Sequence, residues 1–169
     1  MGKGGISQVY LGMCKVEGKW KRSAIKSIDM EALFGDAELM KAVESEVRIM
    51  ETLNHANILK GYHHAVASNR LIVATELCAC NLQDVISRQL AEYKVDIFNE
   101  SEVLALMKYV ATALQELGSR GIIYTDLRPR NIFLSPGCVK LGHLRGAIAV
   151  NSEQEARPSS ALDIFQAPE

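Results

Sequence analysis

The sequence predicts an α+β fold, in which a small β-rich lobe precedes the start of a helical lobe and a cleft separates the two. Three observations indicate this order. Apolar residues alternate in the first 30 residues, as they do in β-hairpins. A helical repeat and a second alternating stretch follow, up to residue 77. The longest helical repeat, at 99–117, comes after both hairpins.

The first lobe is predicted from two hairpins and one helix. Strands at 6–12, 13–17 and 20–29 surround the turn EGK, and strands at 61–67 and 70–77 surround the turn SN. Between the hairpins, a helix is predicted over 36–53, with Asp36 as its N-cap. The apolar face of this helix comprises Leu39, Val43, Val47 and Met50.

The second lobe is predicted to contain a long helix at 99–117. A polar connection at 87–102 precedes this helix and overlaps its first residues. Asn99 and Glu102 suit a capping pair at the start of the helix, and Gly118 is expected to end it. Its apolar face comprises Val103, Met107, Val110 and Leu114. The segments GIIY, NIFL and CVKLG are strand-like and follow the helix.

Composition excludes several classes of function. The formal net charge is −1, so no basic surface is predicted for nucleic acid or for an acidic membrane surface. No apolar run approaches the roughly 18 residues of a membrane span. The cysteines do not have metal-site spacing, which predicts reduced thiols in an intracellular, cytoplasmic protein. They are Cys14, Cys78, Cys80 and Cys138.

A lysine and a glutamate are predicted to form an ion pair in the first lobe. Lys26 lies in the apolar strand SAIKSI, and Glu46 lies on the apolar face of the helix, between Val43 and Met50. A carboxylate on such a face costs free energy unless it is paired, and the strand lysine is the natural partner. The pair would leave an ammonium group near the glycines of GKGG, whose backbone N–H groups can approach phosphate oxygens.

Six segments, in order, make the chain resemble the protein-kinase family over nearly its whole length. GKGGISQV resembles the glycine-rich loop with Ser7 in place of its third glycine, SAIK resembles V-A-I-K, and EVRIMETLNHANIL resembles the segment of the αC glutamate. LIVATELC resembles the strand and hinge that hold adenine. YTDLRPRN resembles H-R-D-L-K-P-x-N, and APE matches the motif that closes the activation segment.

The resemblance implies roles for individual residues. Lys26, held by Glu46, would contact the α- and β-phosphates of ATP, Asp126 would be the catalytic base and Asn131 a magnesium ligand. Arg128 stands where the family has the catalytic-loop lysine. The other implied nucleotide-binding positions are Gly2 and Gly4 over the phosphates, Val9 and Ala24 above the adenine, Phe133 below it, the gatekeeper Thr75, and the hinge backbone from Glu76 to Cys78.

The resemblance also implies a division of the chain. Residues 1–75 would form the N-lobe, 76–80 the hinge, and 81–169 a partial C-lobe that ends at the A-P-E motif. The abrupt ends predict a fragment that folds poorly alone. The tail, 146–166, is predicted to be a loop, and its serines are Ser152, Ser159 and Ser160.

The chain departs from the family pattern at the metal site. In VKLGHLRG, His143 occupies the position of the D-F-G aspartate and Arg145 that of the glycine. Mg²⁺ is a hard ion that prefers oxygen ligands, so the histidine predicts weakened Mg²⁺ binding. Thr125 replaces the arginine that commonly receives an activation-loop phosphate. The residues that match the family's internal apolar stack are Met50, Tyr124 and Leu144.

Three functions remain open from the sequence. The first is a pseudokinase with a scaffolding or regulatory role, which acts through protein partners. The second is an active serine/threonine kinase that transfers the γ-phosphate of ATP to protein substrates with a weakened metal site. The third is a non-functional fragment. The oligomeric state is not predicted.

Overall fold

The computed structural model describes residues 3–4, 7–92 and 98–149. They form two compact units, which are described separately. The first comprises the described residues of Met1–Asn54 together with Leu59–Leu77, and the second those of His55–Ile58 with Cys78–Glu169. The α+β class predicted from the sequence is confirmed. None of the described helices combines the length and the apolar character needed to cross a membrane.

A five-stranded antiparallel sheet forms most of the first unit, in the order β1-β2-β3-β5-β4. Both hairpins turn through residues in the left-handed region, Glu17 and Gly18 in one, Ser68 and Asn69 in the other, as two-residue hairpin loops require. The strands are β1 (Lys3–Gly4), β2 (Ser7–Val16), β3 (Lys19–Asp29), β4 (Gly61–Ala67) and β5 (Arg70–Glu76).

One expectation about this sheet is wrong. The sequence predicted separate strands at 6–12 and 13–17, but β2 is continuous across both. Gly12 does not interrupt the strand, because it pairs with Ser23 of β3 in unbroken register. A side chain at this glycine would meet Ile25, whose Cγ1 lies 2.6 Å from the place of a Cβ.

Two helices complete the first unit, α1 (Glu31–Phe34) and α2 (Ala37–Thr52). The predicted N-cap of α2 is confirmed, since the carboxylate of Asp36 accepts a hydrogen bond of 2.9 Å from the Leu39 N–H. Val43 and Met50 of the predicted apolar face are buried, and Glu46 is buried between them in the sequence. The helix therefore presents an acid from its buried face.

The second unit contains two helices and several short strands. Segment 55–58 belongs to it, because Asn57 donates to the Val139 carbonyl (2.9 Å) and accepts from the Leu141 N–H (2.8 Å). One sheet has the order β6-β8-β9, and β7 pairs with β10. The elements are β6 (Cys80–Asn81), α3 (Leu82–Ala91), α4 (Glu100–Ser119), β7 (Ile122–Ile123), β8 (Ile132–Ser135), β9 (Cys138–Leu141) and β10 (Ile148–Ala149).

The prediction of a polar connection at 87–102 is wrong at both ends. Helix α3 extends to Ala91, and α4 begins at Glu100. Asn81 and Asp84 form a reciprocal capping box at the start of α3. This pair follows the capping-box pattern, with aspartate in place of glutamate. It is the feature of the sequence from which the start of this helix could have been predicted.

Helix α4 confirms its predicted capping pair, because Asn99 and Glu102 bond reciprocally at its start. Gly118 does not end the helix, which continues to Ser119, and the left-handed residue that follows is Gly121. The predicted apolar face is also partly wrong. Val103 and Met107 are exposed, whereas the buried residues are Val110, Ala113 and Leu117. Burial is confined to the second half of α4, which periodicity alone does not reveal.

Candidate functional site

Four of the predicted nucleotide-binding residues of the first unit lie on one face of its sheet. Val9 pairs with Lys26, and Ala24 pairs with Thr75. Directly opposed residues of antiparallel strands point to the same face, as do alternate residues of one strand. Val9, Ala24, Lys26 and Thr75 therefore share a face, and they form one patch across β2, β3 and β5.

The predicted ion pair on this face is present. Lys26 Nζ donates to Glu46 Oε2 over 2.7 Å, and the two side chains are only 16% and 7% exposed. A charge-assisted bond of this length, largely shielded from water, holds both groups in place. Since the acid comes from α2 and the lysine from β3, the pair fixes the helix against the sheet and presents a held ammonium group on the patch.

The end of β5 is held by the residue before β4. The Glu76 N–H donates to the Lys60 carbonyl (2.9 Å), and the Glu76 carboxylate accepts from the Lys60 N–H (2.6 Å). Thr75 is buried, and its hydroxyl donates to the carbonyl of Glu76 (3.2 Å). The N–H of Glu76 is thus engaged within the protein. The Glu76 carbonyl, which accepts from the Thr75 hydroxyl, has a second lone pair for a further donor such as an adenine amino group.

The other predicted nucleotide positions are more dispersed. Gly4 lies in β1 opposite Ser7, and Gly2 falls outside the described residues. In the second unit, Cys78 is half-buried and forms no disulfide. Phe133 is half-buried in β8, opposite Lys140.

The residues predicted to form a catalytic loop in the second unit make a hydrogen-bonded cluster. The amide nitrogen of Asn131 donates to both the backbone carbonyl and Oδ2 of Asp126, each over 2.8 Å. Arg128 contacts Oδ1 of the same carboxylate through its Nε. A single turn of 3₁₀ helix, Pro129–Asn131, closes the loop, and Asn131 is only 3% exposed. Oδ2 of Asp126 therefore accepts a hydrogen bond from within the loop, whereas Oδ1 has an ionic contact with Arg128.

His143, which is predicted to occupy the D-F-G position, lies in a turn that this loop anchors. The Asn131 carbonyl accepts from the Gly142 N–H (2.9 Å), and the Gly142 carbonyl accepts from the Tyr124 hydroxyl (2.7 Å). His143 then adopts a left-handed conformation, with φ 58° and ψ 63°, and a 3₁₀ turn, Leu144–Gly146, follows. Such a backbone is uncommon outside glycine, although histidine tolerates it better than most residues.

Thr125 secures the far side of this turn. Its hydroxyl donates to the Gly146 carbonyl over 2.5 Å. Tyr124 and Thr125, adjacent in the chain, thus hold the carbonyls that flank the turn at His143. The sequence marked Thr125 only as a lost arginine. Its hydroxyl offered no signal of this bond, because the partner lies 21 residues away.

The side chains in the second unit do not fit a magnesium ion. Mg²⁺ takes octahedral oxygen ligands, usually including carboxylates. Here the Asp126 carboxylate is bound by Arg128 and Asn131, and the D-F-G position supplies an imidazole. Within residues 3–4, 7–92 and 98–149, no three His, Cys, Asp or Glu side chains converge as a metal-binding group.

Several sequence predictions lie outside the described residues. They concern the loop serines Ser152, Ser159 and Ser160, the A-P-E motif at 167–169, and most of the tail predicted as a loop.

Comparison with known proteins identifies the family. The family model "Protein kinase domain" matches residues 1–169. The chain belongs to the protein kinase family. The human serine/threonine-protein kinase Nek5 is 27% identical over the whole chain, which covers 23% of that protein.

Two further relatives are also described as kinases. The serine/threonine-protein kinase kin-29 of Caenorhabditis elegans is 32% identical over 79% of the chain and 15% of its own length. A probable myosin light chain kinase of Dictyostelium discoideum is 32% identical over 84% of the chain and 28% of its own length. This kinase domain therefore spans less than a third of the length of each of these relatives.

Proposed function

We propose that this protein kinase domain is a pseudokinase, which binds nucleotide weakly or not at all and acts through protein partners. The observation that supports the proposal is a contrast between its two units. In the first, the Lys26–Glu46 pair is intact and shielded. In the second, the position of a metal-binding aspartate holds His143.

The patch on the first unit suits a nucleotide in two respects. Lys26 offers a cation whose orientation is fixed by Glu46, as a phosphate group needs. Val9 and Ala24, on the same face, are an apolar and a small residue, which suit a flat base. Kinases in general use ATP, so ATP is the nucleotide we propose for this patch.

Phosphoryl transfer requires more than nucleotide binding. It depends on metal ions that neutralise the charge developing on the β- and γ-phosphates. An imidazole supplies no anionic oxygen for Mg²⁺, and the neighbouring carboxylate is already engaged by a guanidinium. Loss of this stabilisation lowers the rate far more than it lowers the affinity, because it acts on the transition state.

An active serine/threonine kinase is the second candidate, and the geometry of the catalytic loop favours it. Asp126 and Asn131 keep the spacing of the family motif and lie in contact. The motif DLRPRN resembles the serine/threonine form, so such an enzyme would act on serine or threonine hydroxyls. Asp126 would accept the hydroxyl proton in that case.

A nucleotide titration distinguishes the two candidates. The intrinsic fluorescence or thermal stability of the chain is followed against ATP, with Mg²⁺ and with EDTA. For a pseudokinase, we expect no binding, or dissociation constants that differ by less than about threefold between the two conditions. A tightening of about tenfold or more by Mg²⁺ would contradict the proposal and favour the active kinase.

Two lysine variants locate any binding that is found. Lys26→Met should abolish it, because the phosphates lose their cation. Lys21→Met is the matched control, since Lys21 is an exposed lysine of the same strand whose ammonium lies over the Tyr62 ring, 5.9 Å from its centroid. The Lys21 variant should bind nucleotide as the parent does.

A further inference from the structure

The hairpin of β2 and β3 continues past the neighbouring strand β5 as a two-stranded ribbon. Strand β3 pairs with β5 only over 23–29, whereas its pairing with β2 continues to the turn. The ribbon comprises residues 13–22. It is tied to the start of β4, because Nε2 of His63 donates to the Lys15 carbonyl over 2.9 Å.

The two faces of this ribbon differ in exposure. On one face, Val16 is buried and Cys14 is half-buried. On the other face, Trp20 is 67% exposed and Met13 is 54% exposed. Trp20 opposes Lys15, two residues from Met13, so the indole and the thioether are diagonal neighbours. The ribbon therefore carries an apolar surface that the described residues leave open to a partner.

Cations surround this apolar surface. The ribbon has four of them and a single acid, Glu17, although the net charge of the whole chain is −1. Arg22 opposes Met13 as Lys15 opposes Trp20, so apolar and cationic side chains alternate along both strands of the exposed face. The four cations are exposed, and none belongs to an ion pair found in the described part of the chain. They are Lys15, Lys19, Lys21 and Arg22.

We propose that the exposed face of the ribbon binds an extended acidic segment of a partner protein. Side chains on one face of a strand recur about every 7 Å, both in the ribbon and in an extended peptide. A segment with an apolar residue and, two positions later, a carboxylate matches this face in spacing and in charge. The inference rests on the proposed function in that the domain acts through protein partners, and it adds the chemistry of one partner.

Two other anionic ligands match this face less well. Single-stranded nucleic acid binds by stacking successive bases on aromatic side chains, and the ribbon offers one aromatic residue, Trp20. An anionic membrane surface would repel Glu17, which lies at the turn of the hairpin. A protein segment can instead place leucine or methionine side chains against both Trp20 and Met13.

Three short labelled peptides test the proposal on the full chain by fluorescence anisotropy. The first repeats leucine, serine, glutamate and serine, the second has lysine in place of glutamate, and the third has alanine in place of leucine. We expect the first to bind at least about tenfold more tightly than either of the others, and its affinity to fall as salt is raised. Trp20 is the one tryptophan of the chain, so its emission should shift to shorter wavelength when the unlabelled peptide binds.

Charge reversal on the two faces locates the binding. Arg22→Glu should weaken the leucine–glutamate peptide by about tenfold or more. Lys21→Glu is the matched control, because Lys21 is the adjacent exposed cation, projects from the opposite face and changes the net charge equally. The control should lose no more than about threefold.

A second variant tests the apolar contact. Trp20→Ser should abolish the advantage of leucine over alanine, because the indole is the largest apolar group on the face. All three variants change exposed side chains, and an unchanged urea denaturation midpoint would show that the fold is kept.

The proposal is overturned if the parent does not prefer the leucine–glutamate peptide, or if Arg22→Glu and Lys21→Glu weaken it equally. Tighter binding of oligothymidylate, or of vesicles containing phosphatidylserine, would overturn it in favour of those ligands. The nucleotide titration on the same sample separates this proposal from the pseudokinase. A titration insensitive to Mg²⁺ with no peptide preference rejects only the ribbon surface, whereas strong Mg²⁺ dependence with the expected preference rejects only the pseudokinase.

Discussion

The ion pair between Lys26 and Glu46 affects both the stability of the fold and the candidate nucleotide site. Glu46 is buried on the inner face of α2, where an unpaired carboxylate would be strongly destabilising. Its partner comes from a different element, 20 residues earlier. The pair therefore has a structural role besides any contact with a nucleotide, and this role can be measured without a ligand.

Removal of the lysine alone should reveal the structural role. Lys26→Met leaves the buried carboxylate without its cation, and we expect the free energy of unfolding to fall by about 3 kcal/mol in urea denaturation. The double variant Lys26→Met, Glu46→Leu should recover most of this loss, because it removes the isolated charge.

An exposed ion pair provides the control. Arg120 and Glu116 lie one turn apart on the surface of the second unit, with side chains 43% and 26% exposed. Glu116→Gln is expected to cost no more than about 0.5 kcal/mol. A Lys26→Met variant no less stable than Glu116→Gln would show that shielding of the Lys26 pair has no energetic consequence.

The residues that sequence reasoning placed correctly are those whose chemistry conflicts with their position. A glutamate between Val43 and Met50 on an apolar face needs a cation, and the alternating strand offered one. Thr125 presents no such conflict, since a threonine in a loop can bond to many groups or to water. Its bond to Gly146 depends on the turn at His143, so it is visible only in the structure.

At the scale of single elements, the N-terminal caps of helices were predicted more reliably than their buried faces. The caps at Asp36 and Asn99 are local, because donor and acceptor lie within one turn. The buried face of α4 depends on which of its residues the rest of the fold covers. Periodicity identified an apolar stripe, but Val103 and Met107 of that stripe are exposed.

Gly118 provides a direct test of the helix boundary. It lies inside α4, and a methyl group there would meet no atom within 4 Å. Gly118→Ala should therefore raise the free energy of unfolding by about 0.5 to 1 kcal/mol, because alanine loses less backbone entropy in a helix. The measurement is again a urea denaturation midpoint.

Gly121 is the matched position beyond the helix end. Its φ of 67° lies in the left-handed region, so Gly121→Ala should lower stability. If Gly118→Ala were instead destabilising, the helix would have to end there, as the sequence alone suggested.

For the whole molecule, the family resemblance explains why the fold could be predicted so far. Motifs separated by more than 100 residues fix the order of strands and helices, because each has a set place in one architecture. Function is less constrained, since the same fold supports active and inactive members. Whether a member of the fold transfers phosphate depends, in this chain, on a few atoms around Asp126 and His143.

Phosphotransfer to a serine peptide from γ-labelled ATP, in the presence of Mg²⁺, is the most direct measurement. It compares the parent chain with His143→Asp, which returns a carboxylate to the D-F-G position. A pseudokinase with its lesion at this position shows no transfer in the parent and measurable transfer in the variant. Transfer by the parent that disappears in Asp126→Asn would show that the domain is a working kinase.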